Sequence, residues 1–213
     1  MVKYISEIAS SHTGKIKLVE KISQQHCKSK SNYLKFQIFK AKNLLSKKNK
    51  QFSNYKKLEI NFKNWNRLIK KYWKKTKIIL EPFDEESYKF CKKYKKHVLL
   101  KVSSSESDNL TLIIDAMKNF EKVFINVSGL GFKNIKTIVN FLSNEKYRKK
   151  IIFMYGFQSY PTRVTDLRFN LFNYFSKEGF NFGYADHSKF GINRNVIEVC
   201  AYAKNLFKCS FIE

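Results

Sequence analysis

At 213 residues the chain can fold as one domain with a substantial core, and it reaches a single α/β barrel if its loops are short. Its formal net charge of +25 rests on lysine far more than on arginine, the residue suited to bidentate phosphate and base contacts. The charge is therefore read as solvated lysine faces with no specific nucleic-acid partner, and polyanion binding stays as the alternative. No apolar run approaches the roughly 20 residues of a membrane helix, and MVKYISEIAS lacks the plan of a signal peptide, so a cytoplasmic location and no membrane partner are expected.

Residues 3–9 form the first candidate strand. The second, 33–39, reads YLKFQIF, and alternation puts Leu34, Phe36 and Ile38 on one face and Lys35 with Gln37 on the other. A lysine-heavy polar insertion follows at 40–57 and reads as a surface loop. Phe62, Trp65, Leu68, Ile69, Tyr72 and Trp73 then recur at helical spacing. After a strand at 77–81, Asp84 precedes Glu85 and Glu86 as a helix start. After the strand at 98–103, Asp108 stands before a second helical run through Leu110, Ile113, Ile114 and Met117. Strands at 122–127, 151–156, 180–185 and 206–212 complete the set. Strand then helix, repeated, predicts parallel strands with crossovers, and eight strands close into a (β/α)8 TIM barrel, here without its last helix. A doubly wound open sheet is the alternative, but no GxGxxG turn is present.

In a barrel the chemistry sits at the C-terminal ends of the strands, so polar residues there are informative. Lys35 and Gln37 point inward near the mouth. A buried ammonium needs an anion, supplied either by an internal salt bridge such as one to Glu7 or by a ligand. LLKVSSSESDN delivers a second lysine, Lys101, followed by a serine run with Ser104 and by Glu106. Two inward lysines and a hydroxyl-rich turn fit a phosphate or carboxylate site, although the serines also suit a turn and cap. Gln158 and Tyr160 share a parity before Pro161, as in a site-lining loop, with Tyr160 alternatively a core aromatic. In NFGYADHS, Gly183 and Ala185 precede His187 on one parity. Small residues there leave room inside the barrel, which an imidazole could use to hold a metal with at least one further ligand. Cys27, Cys91, Cys200 and Cys209 are scattered, without zinc-site spacing, and read as reduced thiols.

Taken in order, SEIASSHTG, YLKFQIFKAKNLLSKK, KKLEINFKNWNRLIKKY, EPFDEES, LLKVSSSESDN, GFQSYPT and GYADHS leading to SFIE resemble the sialic acid synthase family, the N-acylneuraminate synthases that include legionaminic and pseudaminic acid enzymes. The resemblance spans essentially the whole chain. It implies a TIM barrel over 1–213 that condenses phosphoenolpyruvate with an open-chain N-acyl hexosamine resembling N-acetylmannosamine, assisted by a divalent metal, Mn2+ or Mg2+, and working as a homodimer. On the same basis Lys35 and Lys101, with Ser104, would hold phosphoenolpyruvate. Gln37, Glu106, Gln158 and Tyr160 would face the amino-sugar, Glu7 would form the catalytic floor with Lys35 and Gln37, and His187 would be a metal ligand.

Departures from the family pattern are part of the expectation. Glu81 stands where a serine or threonine is usual, Val127 replaces a hydroxyl donor, Tyr155-Gly156 replaces a His-Cys turn, and Ala185 replaces a serine. The family's second metal-binding histidine and its antifreeze-like C-terminal domain follow the equivalent of Glu213 and are absent from this sequence. A degenerate barrel that binds an anionic sugar or phosphate without catalysis is the second expectation.

Overall fold

The chain's hydrophobic periods switch between two and 3.6 residues along its length, and the elements follow that switching. The computed structural model describes residues 1–143, 145–188 and 195–213. β1 (Lys3–Glu7) leads to α1 (Ile16–Lys28); β2 (Tyr33–Ile38) to α2 (Ala41–Leu44), α3 (Phe52–Leu58) and α4 (Phe62–Tyr72); β3 (Lys77–Pro82) to α5 (Glu85–Lys92). β4 (Val98–Val102) and α6 (Leu110–Asn119) come next, then β5 (Val123–Asn126) with α7 (Phe132–Leu142) and α8 (Glu145–Arg148). β6 (Ile151–Tyr155) with α9 (Asn170–Lys177), β7 (Asn181–Tyr184) with α10 (Asn195–Asn205), and β8 (Phe211–Ile212) complete the order. Every strand pairs in parallel with its successor, and β8 returns to β1 through Lys3↔Phe211 and Tyr4↔Ile212. The result is a closed (β/α)8 barrel, its helices forced outside by the crossovers that parallel strands require. Among the described residues no helix is long and apolar enough to cross a membrane.

Strand alternation divides the apolar residues into two cores. Leu34, Phe36 and Ile38 of β2 face the helices, where α4 presses Trp65, Leu68, Ile69 and Tyr72 against the sheet, with the Phe36 and Trp65 rings 5.2 Å apart. Each such side chain contributes about 1.5–3 kcal/mol relative to leaving it exposed. The opposite parity fills the barrel's lower interior with Ile5, Tyr33, Ile79, Leu99, Phe124 and Phe211. That apolar plug leaves the upper interior to polar groups.

Several boundaries differ from expectation. The first strand stops at Glu7, and Ala9 and Thr13 take left-handed φ angles of 44° and 47° in the turn that follows. Residues 206–212 are not one strand: the Leu206 amide still bonds back to the Tyr202 carbonyl, Lys208 turns the chain at φ 56°, and only Phe211–Ile212 pair. Asp84 caps α5 as expected, accepting from the Ser87 amide, but α6 is capped by Asn109, not Asp108. The insertion is more than a surface loop. It carries α2 and α3, held down where Asp84 accepts from the Lys40 amide and Glu59 from the Ala41 amide.

Candidate active site

The inward parity that carries the apolar plug continues upward into charge. Glu7 ends β1, Lys35 and Gln37 lie on β2, Glu81 on β3, Lys101 on β4, and Glu213 just past β8. The register sets Glu7 beside Lys35 and Gln37 beside Glu81, so the layer is assembled by strand pairing itself. Lys35 Nζ lies 2.7 Å from Glu7 Oε1, 2.9 Å from Glu81 Oε2 and 2.5 Å from Glu213 Oε1. Lys101 Nζ shares the same Glu213 oxygen at 2.5 Å and lies 3.7 Å from Glu81 Oε1. The Gln37 amide donates to Glu7 Oε1 at 2.8 Å and to Glu81 Oε2 at 3.1 Å. Both lysines, Glu81 and the Glu213 side chain are buried.

Two ammonium groups thus meet three carboxyls. Burial alone would neutralise the lysine, but Glu213, Glu81 and Glu7 hold Lys35 charged, well above the ordinary lysine value. Burial pushes Glu213 up, and Lys101 and Lys35 outweigh it, bringing its carboxyl down to about 2; they also hold Glu81 below its usual value against burial. Glu7 goes the other way: burial, aided by Glu213 and Glu81, raises it despite Lys35 and Lys101. Glu7 is therefore the carboxyl readiest to hold a proton, and with it protonated the layer is electrically balanced. One acceptor remains open, since Glu213 Oε2 is buried without a hydrogen-bond partner among the described residues.

Above Gln37 lies a cavity of about 550 Å³, walled by Phe39, Leu44, Tyr55, Leu58 and Phe83. The insertion after β2 is therefore one wall of the mouth. Other expected site residues are not gathered here. Ser104 is half-buried in a single 3-10 turn, where the serine turn bonds largely to itself. The Glu106 carboxylate accepts from Asn109 and lines a separate cavity between α5 and α6. Gln158 is exposed, and Tyr160, 78% exposed, is not a core aromatic. Glu213, which sequence reasoning did not place in the charged layer, is central to it, together with Glu81, expected close to the substrate anion as a departure from the family pattern. Their signal is parity: Glu81 follows inward Ile79, and Glu213 follows inward Phe211.

His187 is half-buried beyond β7, with Nδ1 3.0 Å from the Phe157 carbonyl, an arrangement that leaves Nε2 as its free nitrogen. The expected room beside it is absent. A Cβ on Gly183 would come within 2.7 Å of both Met154 Sδ and Phe211 Cβ, and Ala185 is packed into the inner core. No group of three or more His, Cys, Asp or Glu among the described residues could hold a metal ion. Among the described residues one imidazole and one open carboxylate oxygen do not by themselves complete a divalent site, and His187 is the one expected ligand placed there.

The mouth of charged residues on a closed parallel barrel meets its relatives in comparisons of sequence and structure. The profile described as NeuB family matches residues 18–205. The chain belongs to that family. The NeuB-family chain is 26% identical over 204 residues to N,N'-diacetyllegionaminic acid synthase of Campylobacter jejuni subsp. jejuni serotype O:2, covering 87% of this chain and 60% of that protein's length. Its fold superposes on an N-acetylneuraminic acid (sialic acid) synthetase from Leptospira borgpetersenii serovar Hardjo-bovis, solved in complex with citrate. The TM-score is 0.84 at 25% identity, over all of this chain and 72% of that one. A truncated 3-deoxy-D-arabino-heptulosonate 7-phosphate synthase from Thermotoga maritima matches in fold alone, with a TM-score of 0.68 at 13% identity, over 99% of this chain and 73% of that one.

Proposed function

We propose that this barrel condenses phosphoenolpyruvate with an N-acyl hexosamine to give a nonulosonic acid and release phosphate. The observation that carries the reading is the convergence of Lys35 and Lys101 on one point at the C-terminal mouth of a NeuB-family barrel. In this reading the two lysines hold the phosphate and carboxylate of phosphoenolpyruvate as point charges in a water-poor site, where such interactions are strongest. The Leptospira synthetase, solved in complex with citrate, a multivalent carboxylate, is in keeping with an anion-binding member of this fold. The acceptor sugar occupies the cavity above Gln37, whose amide faces it, while Glu106, Gln158 and Tyr160, expected to face the sugar, lie outside that cavity's lining.

The enol carbon attacks the sugar aldehyde, forming the new C–C bond; water adds at the adjacent carbon, whose bond to the phosphate oxygen breaks, and phosphate leaves. Glu7 gives its proton to the aldehyde oxygen, and Glu213 Oε2 accepts from the attacking water. A divalent ion, if His187 holds one with ligands from outside the described residues, would supply Lewis-acid polarisation. The test is phosphate release from phosphoenolpyruvate with a panel of N-acyl hexosamines, with Mn2+ or Mg2+ and with EDTA. No release with any acceptor overturns the proposal.

A second reading, anion binding without turnover, is favoured by Glu81. Its carboxylate sits where the lysines would meet a substrate anion. Calorimetry distinguishes the two: anion binding unaffected by EDTA, with no product formed, assigns the second.

A further inference from the structure

The two ends of the barrel treat cations in opposite ways. At the C-terminal mouth both ammonium groups are buried against carboxylates. At the N-terminal end a cavity of about 320 Å³ is lined by Lys3, Lys77, Lys95, Lys96 and Lys122 beside Trp73. Among the described residues, none of those five lysines is within ion-pair distance of a carboxylate, in contrast to the thirteen pairs formed elsewhere. We propose that this basal cavity is a second ligand site, for a small polyphosphate: pyrophosphate itself or the phosphate tail of a nucleotide.

The fold fixes this ring of charge. Lys3 and Lys77 open β1 and β3, Lys95 and Lys96 lie in the turn that leads through His97 into β4, and Lys122 immediately precedes β5. Their backbone positions are therefore set by the barrel rim, not by a mobile tail. The floor is the apolar plug, through Tyr33 and Leu99, a low-dielectric surface that concentrates the field of the surrounding charges. Glu121 is the sole acid in the lining, and it is exposed. Lys95 is engaged only with a neutral amide, the Asn119 oxygen at 3.0 Å, and Lys3 and Lys77 lie over the Phe211 and Tyr33 rings. The Lys96 and Lys122 side chains have no hydrogen-bond, ion-pair or ring partner among the described residues, so their ammonium donors are available to a ligand.

Five cations against one carboxylate call for a ligand with several negative charges, which a monocarboxylate or a neutral sugar lacks. Lysine meets phosphate oxygens as a flexible point charge, without the planar geometry that arginine demands. The volume is that of a small-molecule pocket and not of a polymer track. Trp73 and His97, their ring centroids 4.0 Å apart, form an aromatic side wall of the cavity, so a bound ligand lies close enough to change the indole emission. The chain's overall positive charge sets a background at every lysine face; what separates this site is concavity, with five lysines lining one partly open cavity.

The test is titration of the full chain with pyrophosphate, ADP and inorganic phosphate, by calorimetry and by tryptophan fluorescence. Pyrophosphate should bind more tightly than phosphate and perturb the emission, and Trp73→Phe should remove that signal while leaving the heat. ADP binding more tightly than pyrophosphate assigns the site to a nucleotide; equal affinity assigns it to the diphosphate alone. The pair Lys96→Gln/Lys122→Gln should weaken pyrophosphate by about tenfold or more. The pair Lys47→Gln/Lys48→Gln, the same charge loss at the other end of the molecule, should change it by no more than about twofold. Circular dichroism and thermal unfolding of the free variants establish that each is folded. Equal weakening by the two pairs, absence of both heat and fluorescence change, or tight binding of an RNA oligomer that pyrophosphate does not displace would each overturn the proposal.

Discussion

Lys35 touches all three carboxyls of the mouth, so its removal has two separable effects. Lys35→Ala should abolish condensation and, by leaving buried carboxylates underpaired, cost about 3–5 kcal/mol in urea unfolding. Glu81 works in the opposite sense, because it already occupies part of the positive site that a substrate anion would use. Like-charge contact costs several kcal/mol, so Glu81→Ser should tighten phosphoenolpyruvate or phosphate binding by about tenfold or more in calorimetry. Unchanged affinity would remove Glu81 from the competition. The layer also sets the pH response. Glu213, depressed to about 2 from an ordinary 4.5, adds stability above its unfolded value, and that stability is lost as pH falls from about 4.5 towards about 2. Glu7 has the reverse sign: its contribution is complete below its ordinary value of 4.5 and is lost as pH rises through its raised one, when a third negative charge faces two positive ones. Urea midpoints measured against pH should therefore decline on both sides for the wild type, and Glu7→Gln should flatten the upper decline only.

One acidic cap, Asp84, joins elements that would otherwise be only neighbours. Asp84 begins α5, accepting from the Ser87 amide at 3.0 Å, and also accepts from the Lys40 amide at 2.8 Å and the Asn43 side chain at 3.0 Å. A lost cap costs about 0.5–2 kcal/mol, and here the α2–α3 wall of the cavity is released as well, so Asp84→Ala should sit at the upper end and speed proteolysis within 40–58. Parity within β2 was legible because YLKFQI alternates cleanly, and it placed Lys35 and Gln37 correctly. Asp84 was legible from its acidic neighbours. The start of α6 was less so, since Asp108 and Asn109 have equally good capping oxygens and only backbone geometry chooses Asn109, which accepts from the Leu112 amide. β8 was hidden for another reason: Leu206 and Phe207 extend the apolar run of the strand, yet belong to the turn after α10. The small residues of β7 misled because space vacated by Gly183 is filled from neighbouring strands by Met154 and Phe211, which no single-strand pattern reveals.

At the scale of the molecule the barrel is closed by a two-residue strand, and Phe211 anchors it against Tyr33 and Phe124 at 5.9 and 5.1 Å between ring centroids. Phe211→Ala should cost about 3–5 kcal/mol and loosen the β1–β8 seam, seen as faster hydrogen exchange of the Lys3 amide, which bonds to the Ser210 carbonyl. Fold class and the inward lysines followed from strand count and parity. The charge balance at the mouth did not, because it is made by residues distant in sequence. Glu213 stands 178 residues after Lys35, a separation with a consequence in time. While the polypeptide is being synthesised, both lysines emerge long before Glu213, and until it arrives Lys101 has only the more distant Glu81, which it shares with Lys35, to offset dehydration. The upper barrel therefore stays wet until residue 213 has been made, and pairing of the two-residue strand that closes the sheet is also the step that lets its charges leave water.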